Sequence, residues 1–151
     1  DTSIEHITII RTAAGIAYLV SLLTLAVFLI VIRLSNWPNP NASFNVWVNL
    51  PTFDPTAGGD VIERLERDAR VNIALGFLLP FLTPAVIKAA SSIFGSMSLE
   101  NPQTLIWTVT AWAFLPASLF MRGIAMARVA SMIMEKRRRS TAPAHSEPLP
   151  I

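Results

Sequence analysis

The sequence predicts an all-α membrane protein with three transmembrane helices, and three observations carry that expectation. Apolar residues make up 52% of the 151 and charged residues only 15%, against roughly a quarter charged in average soluble chains. The deficit is uneven, because long stretches hold no Asp, Glu, Lys or Arg. Those stretches reach the ~20 residues that a helix needs to cross roughly 30 Å of hydrocarbon. Mean hydropathy is +0.50.

The first span is expected over about 12–32, bracketed by Arg11 and Arg33. Ala26 to Ile32 is apolar on every side, whereas a helix in a soluble protein keeps a polar stripe. The run is too long, and its start too poor in positive charge, for a secretory signal. A retained span is the reading.

Residues 34–59 change character. Trp37-Pro38-Asn39-Pro40-Asn41 and Pro51-Thr52-Phe53-Asp54-Pro55 break a helix, since proline lacks the N–H and restricts its predecessor. Trp37 and Trp47 stand among asparagines, and Trp is favoured at headgroup level. The segment is therefore expected to lie along the membrane surface with both as interfacial anchors. A solvated loop with its own hydrophobic cluster is the alternative.

A helix should start after Asp60. Gly58-Gly59 frees the backbone, Asp60 can cap, and Glu63 takes the capping-box position. Glu63–Arg67 and Glu66–Arg70 are spaced i, i+4 in the favourable order. Ile62, Leu65, Ala69 and Ile73 make an apolar stripe. This predicts an amphipathic surface helix over 61–70 feeding the next span, although a partner-binding helix has the same pattern.

The second span is expected over 71–97 and the third over 104–122, with Trp107 as a further interfacial anchor. Pro80 and Pro84 lie one turn apart in the second span, so it should be kinked, with the Thr83 hydroxyl resatisfying a freed carbonyl. A static bend fixed by packing is preferred to a hinge. The third helix continues past Arg122 and Arg128 to the basic run Lys136–Arg139, and the Pro-rich segment 140–151 should be an irregular tail. Residues 1–139 thus read as a single membrane domain.

Basic residues set the expected orientation. Arg64, Arg67 and Arg70 precede the second span, and Arg122, Arg128 and Lys136–Arg139 follow the third; the turn between carries only Glu100. Positive-inside places those flanks in the cytoplasm and the N-terminus outside, in a cell inner or plasma membrane. A re-entrant hairpin in the second apolar region would reverse the N-terminus.

Chemistry is scarce. The chain has no cysteine, which excludes disulfides, thiolate metal sites and cysteine nucleophiles. No Asp or Glu falls within a span, and His6 and His145 both fall outside them, so neither a proton relay nor a bis-histidine haem is indicated. His6 alone is a weak ligand signal. No phosphate-cradling loop or catalytic triad spacing occurs, and the basic run is too short for a nucleic-acid surface. No cofactor and no metal are expected. Lys88 and Arg122 are the basic side chains nearest the hydrocarbon and are read as lipid-headgroup or partner contacts, with stems able to snorkel.

Small residues recur at helical spacing: Ala13, Ala17 and Ser21; Ala85 and Ala89; Ser91 and Gly95; Ala113 and Ala117; Gly123, Ala127 and Ser131. Such ridges let helices approach closely in lipid. Ala13, Ala17, Ser21, Ala113 and Ala117 are therefore the expected helix-packing positions. More faces exist than three helices can cover, which suggests other membrane subunits as partners alongside lipid. The expected function is a non-catalytic accessory or assembly subunit of a larger membrane complex. A homo-oligomeric transport component hinged at Pro80–Pro84 is the alternative, and an enzyme acting on lipid ranks third.

Overall fold

The computed structural model describes residues 2–39, 54, 56–94 and 101–141. Among them it is all-helical, with α1 over Thr2–Leu34, α2 over Val61–Phe94 and α3 over Pro102–Thr141. Each is long and apolar enough to cross a membrane. Trp47, residues 95–97 of the second expected span and most of the expected tail lie outside the described residues.

The helix ends follow from local chemistry. Beyond α1, Asn36 turns left-handed with φ 49°, a conformation that Asn tolerates better than other side chains carrying a Cβ. Ser35 closes the last turn, donating both its amide (2.9 Å) and its hydroxyl (2.7 Å) to the Val31 carbonyl. At the start of α2, the Asp60 carboxylate accepts the Ile62 N–H at 3.2 Å, the capping bond that its position predicts. Just upstream, the Asp54 carboxylate accepts the Thr56 hydroxyl (2.6 Å) and amide (2.8 Å). At the start of α3, Asn101 accepts the Gln103 N–H at 2.9 Å and Pro102 occupies the first helical position, where its missing N–H costs nothing.

α3 is the central helix. It packs along α2 and, over a shorter stretch, along α1, while α1 and α2 do not meet among the described residues. Ser21 lies beside Ala113, and Trp37 beside Arg128, so α1 and α3 run in the same direction. Pro80 lies beside Trp112, and Asp60 beside Arg137, so α2 runs against them. This is the up-down-up order of three consecutive crossings.

Two glycines set how closely α2 and α3 approach. A Cβ on Gly123 would stand 2.7 Å from Ile73 Cγ1 and 2.9 Å from the Ala69 carbonyl oxygen. A Cβ on Gly76 would stand 3.0 Å from the Pro116 carbonyl oxygen. Backbones this close gain dispersion contacts, the main attraction between helices where lipid already surrounds every apolar side chain.

The structure departs from the expected surface helix. Residues 61–70 do not form a separate element; α2 is continuous from Val61. Ile62, Leu65 and Ala69 are buried in one cluster with Met126, Val129 and Ala130 of α3, and Trp37 and Ile133 pack around it. The stripe is thus covered by the same chain rather than laid on a membrane. The reason is that α3 also runs well past the expected end of its span and presents Met126, Val129 and Ala130 at matching helical spacing. Leu65 and Val129 are fully buried, and in contact with water each such side chain is worth about 1.5–3 kcal/mol.

Candidate functional site

Three features have a place in any function: a row of polar contacts between helices, a cleft, and two levels of charge. The contacts lie near the middle of the apolar segments. The Ser21 hydroxyl donates to the Ala113 carbonyl at 2.7 Å, and the pair is buried. One residue earlier on α3, the Trp112 indole N–H donates to the Pro80 carbonyl at 3.2 Å. That carbonyl is the one four residues before Pro84, which has no N–H to give it. The Thr83 hydroxyl donates to the Leu79 carbonyl at 2.8 Å. α2 remains helical through both prolines.

The cleft opens between α1 and α2, with α3 as its floor. It measures about 270 Å³ and is walled by Tyr18, Leu22 and Leu25 on one side and by Gly76, Phe77 and Phe81 on the other. Ala113, Pro116, Ala117 and Phe120 line its base. The Tyr18 ring lies 5.5 Å from that of Trp112.

The interhelical contacts place the charges on a common scale. Ten residues before Ser21 and Ala113, Arg11 falls level with Gln103. Eight residues after Pro80, and eight before Trp112, Lys88 falls level with Thr104. Toward the other end the same registers bring Arg33 level with Ala125 and Arg70 level with Arg122. The rise from Thr104 to Arg122 is about 27 Å, close to the hydrocarbon thickness of a bilayer. Lys88 and Arg122 therefore stand at the two edges of a charge-free band, and both are exposed.

Beyond the Arg122 edge the chain turns polar. An open groove of about 810 Å³ lies between the turn after α1 (Ser35 to Asn39) and Arg128, Ser131, Glu135 and Arg139 of α3. Arg128 donates to the Trp37 carbonyl at 3.3 Å, and Arg139 pairs with Glu135 at 2.8 Å. Arg137 bridges to Asp60, 3.0 Å from Oδ1 and 3.1 Å from Oδ2. Arg70 lies 3.8 Å from Glu66, as its spacing predicts, whereas Arg67 lies nearer Asp68, at 3.7 Å. Hydrogen bonds from the Thr56 side chain and amide hold the Asp54 carboxyl below its ordinary value.

The sequence-selected residues divide accordingly. Ser21, Ala113 and Ala117 come together at the α1–α3 contact, where all are buried, and Ala13 and Ala17 are half-buried further along α1. Pro80, Thr83 and Pro84 share one stretch of α2 facing Trp112. Trp37 turns onto the buried cluster beyond the band, while Trp107 is 69% exposed near the Thr104 level. Gly76, Trp112 and the pairing of Asp60 with Arg137 were not selected. Of these, Trp112 has a signal in the sequence, because Pro84 leaves the Pro80 carbonyl without a helical donor and so calls for one from a neighbouring helix. Among the described residues no group of three His, Asp or Glu side chains is placed to hold a metal. Protein-family models, curated proteins and solved structures give no match to the chain.

Proposed function

We propose that the chain is a non-catalytic accessory or assembly subunit of a larger integral membrane complex. It works by helix packing and by its polar end. One observation carries the reading: small-residue faces remain open among the described residues. Ala85 and Ala89 are exposed on α2, and Gly15 on α1 has nothing within 4 Å of the place where its Cβ would be. Such faces accept a neighbouring helix at close range. In this reading Lys88 and Arg122 meet headgroups or partner subunits. The N-terminus faces outward and the basic end of α3 faces the cytoplasm of an inner or plasma membrane.

The kink at Pro80 and Pro84 belongs to the same proposal as a fixed bend. The Trp112–Pro80 hydrogen bond supports a bend tied to α3 over a hinge in a homo-oligomeric transporter. Mild solubilisation followed by affinity isolation tests the choice. Distinct membrane polypeptides in fixed ratio are the expected result. A closed ring of this chain alone would overturn it.

A further inference from the structure

We infer that the cleft between α1 and α2 holds one anionic phospholipid, its acyl chain against the cleft walls and its phosphate between Arg11 and Lys88. The walls point to this themselves. On α1, Arg11, Tyr18 and Leu25 recur every seven residues, so Arg11 extends the cleft-lining stripe two turns beyond Tyr18. On α2, Phe77, Phe81 and Lys88 follow the same helical spacing, so Lys88 extends the opposite wall two turns beyond Phe81. The registers through Ala113 and Trp112 put both cations within one residue of the same level.

Among the described residues the charge has no answer. Both cations are exposed, and neither forms an ion pair with a described residue. No carboxylate occurs in the sequence from His6 to Phe53 or from Ala69 to Leu99. A phosphodiester at the edge of the band supplies the missing charge, and such a basic residue near a membrane surface favours anionic lipid.

The apolar part selects a chain over a helix. A helix is ~10 Å across, too wide to enter a cleft of about 270 Å³, whereas a flexible alkyl chain enters. Tyr18, Leu22, Phe77 and Phe81 are large, unlike the small-residue seams through which membrane helices meet. The polar atoms of Ser21 and Trp112 beside the cleft are already bonded to carbonyls, which leaves a lining suited to hydrocarbon.

The inference rests on the three helices lying in a bilayer and not on the subunit reading, so the two can fail separately. The full chain, reconstituted in vesicles of equal phosphatidylglycerol and phosphatidylcholine, is extracted gently and weighed by native mass spectrometry. One retained lipid is expected, with phosphatidylglycerol favoured on the order of tenfold by the two cations. In Arg11→Gln/Lys88→Gln, whose exposed positions leave the helical circular dichroism unchanged, that preference falls to the vesicle ratio. Leu22→Trp fills the cleft from an exposed wall and loses the lipid with both cations intact. Equal retention of the two lipids by the unaltered chain, no retained lipid, or retention indifferent to both variants would overturn the inference. So would crosslinking of Phe81 to another polypeptide in the isolated complex.

Discussion

The Trp112 indole N–H reaches, at 3.2 Å, the Pro80 carbonyl that Pro84 leaves without a helical donor. A defect in one helix is thereby repaired by its neighbour, at a depth where no water is at hand to do so. The repair also fixes the rotation of α2 against α3, since only one face of each brings the two groups together.

Trp112→Phe keeps an aromatic ring beside Tyr18 and removes only the donor. It should cost about 1 kcal/mol, the scale of interhelical hydrogen bonds in membranes. In a Pro84→Ala background the cost should shrink toward zero, because the substituted alanine restores an N–H to the Pro80 carbonyl. Unfolding in bicelles across this double-mutant cycle measures the coupling. Equal costs in both backgrounds would show that the indole acts through packing alone.

Gly123→Ala and Gly15→Ala should part ways. The first drives a methyl to within 2.7 Å of Ile73 Cγ1 and 2.9 Å of a backbone oxygen. α2 must move, at a cost of about 1–3 kcal/mol. The second meets nothing within 4 Å and should be neutral or gain up to ~1 kcal/mol in helix propensity. Thermal melting of the two variants in one detergent decides it. Similar melting temperatures would contradict the close contact.

Asp60 does two jobs and Arg137 one. Asp60→Ala loses the cap to Ile62 together with the ion pair and should cost about 1 kcal/mol. Arg137→Gln loses only an exposed pair and should cost less than about 0.5 kcal/mol. High salt should erase the second effect and leave most of the first. Chemical unfolding at two ionic strengths reads the difference.

Asp54 gives a pH test. Because its carboxyl is held below the ordinary value of 3.8 by Thr56, the unfolded chain binds its proton first as pH falls. Its contribution to loop order is therefore complete above that ordinary value and lost as pH drops through the lower, folded one. The Thr56 amide resonance should report a midpoint below 3.8, and Thr56→Val should move it upward. An unchanged midpoint in that variant would remove the hydroxyl as the cause.

Much of this fold can be read from charge alone. Arg11 and Arg33 bracket the apolar stretch of α1 because a charge between them would have to sit in oil, and Gly59-Asp60 announces the start of α2 through local backbone and capping chemistry. The partner of the Ile62–Leu65–Ala69 stripe was not legible, since an apolar stripe specifies that it must be covered but not by what. Membrane and α3 satisfy it equally until Met126, Val129 and Ala130 are known to arrive at the same height. Lys88 illustrates the same limit. Counted along its own helix it falls short of the end of the apolar band, whereas the contact of Pro80 with Trp112 brings it level with Arg11 at the edge. The cleft was invisible because it is made by two helices that do not touch.

That α1, among the described residues, rests on α3 and not on α2 has a consequence for biosynthesis. Ser21 meets its partner Ala113 across 92 positions of chain, and α2, made in between, offers α1 no contact among the described residues. α1, made before α3, must wait, solvated only by lipid, until α3 has followed it. Truncation before α3 therefore leaves α1 without its intramolecular neighbour, and quality-control proteases that recognise unassembled segments would meet it first.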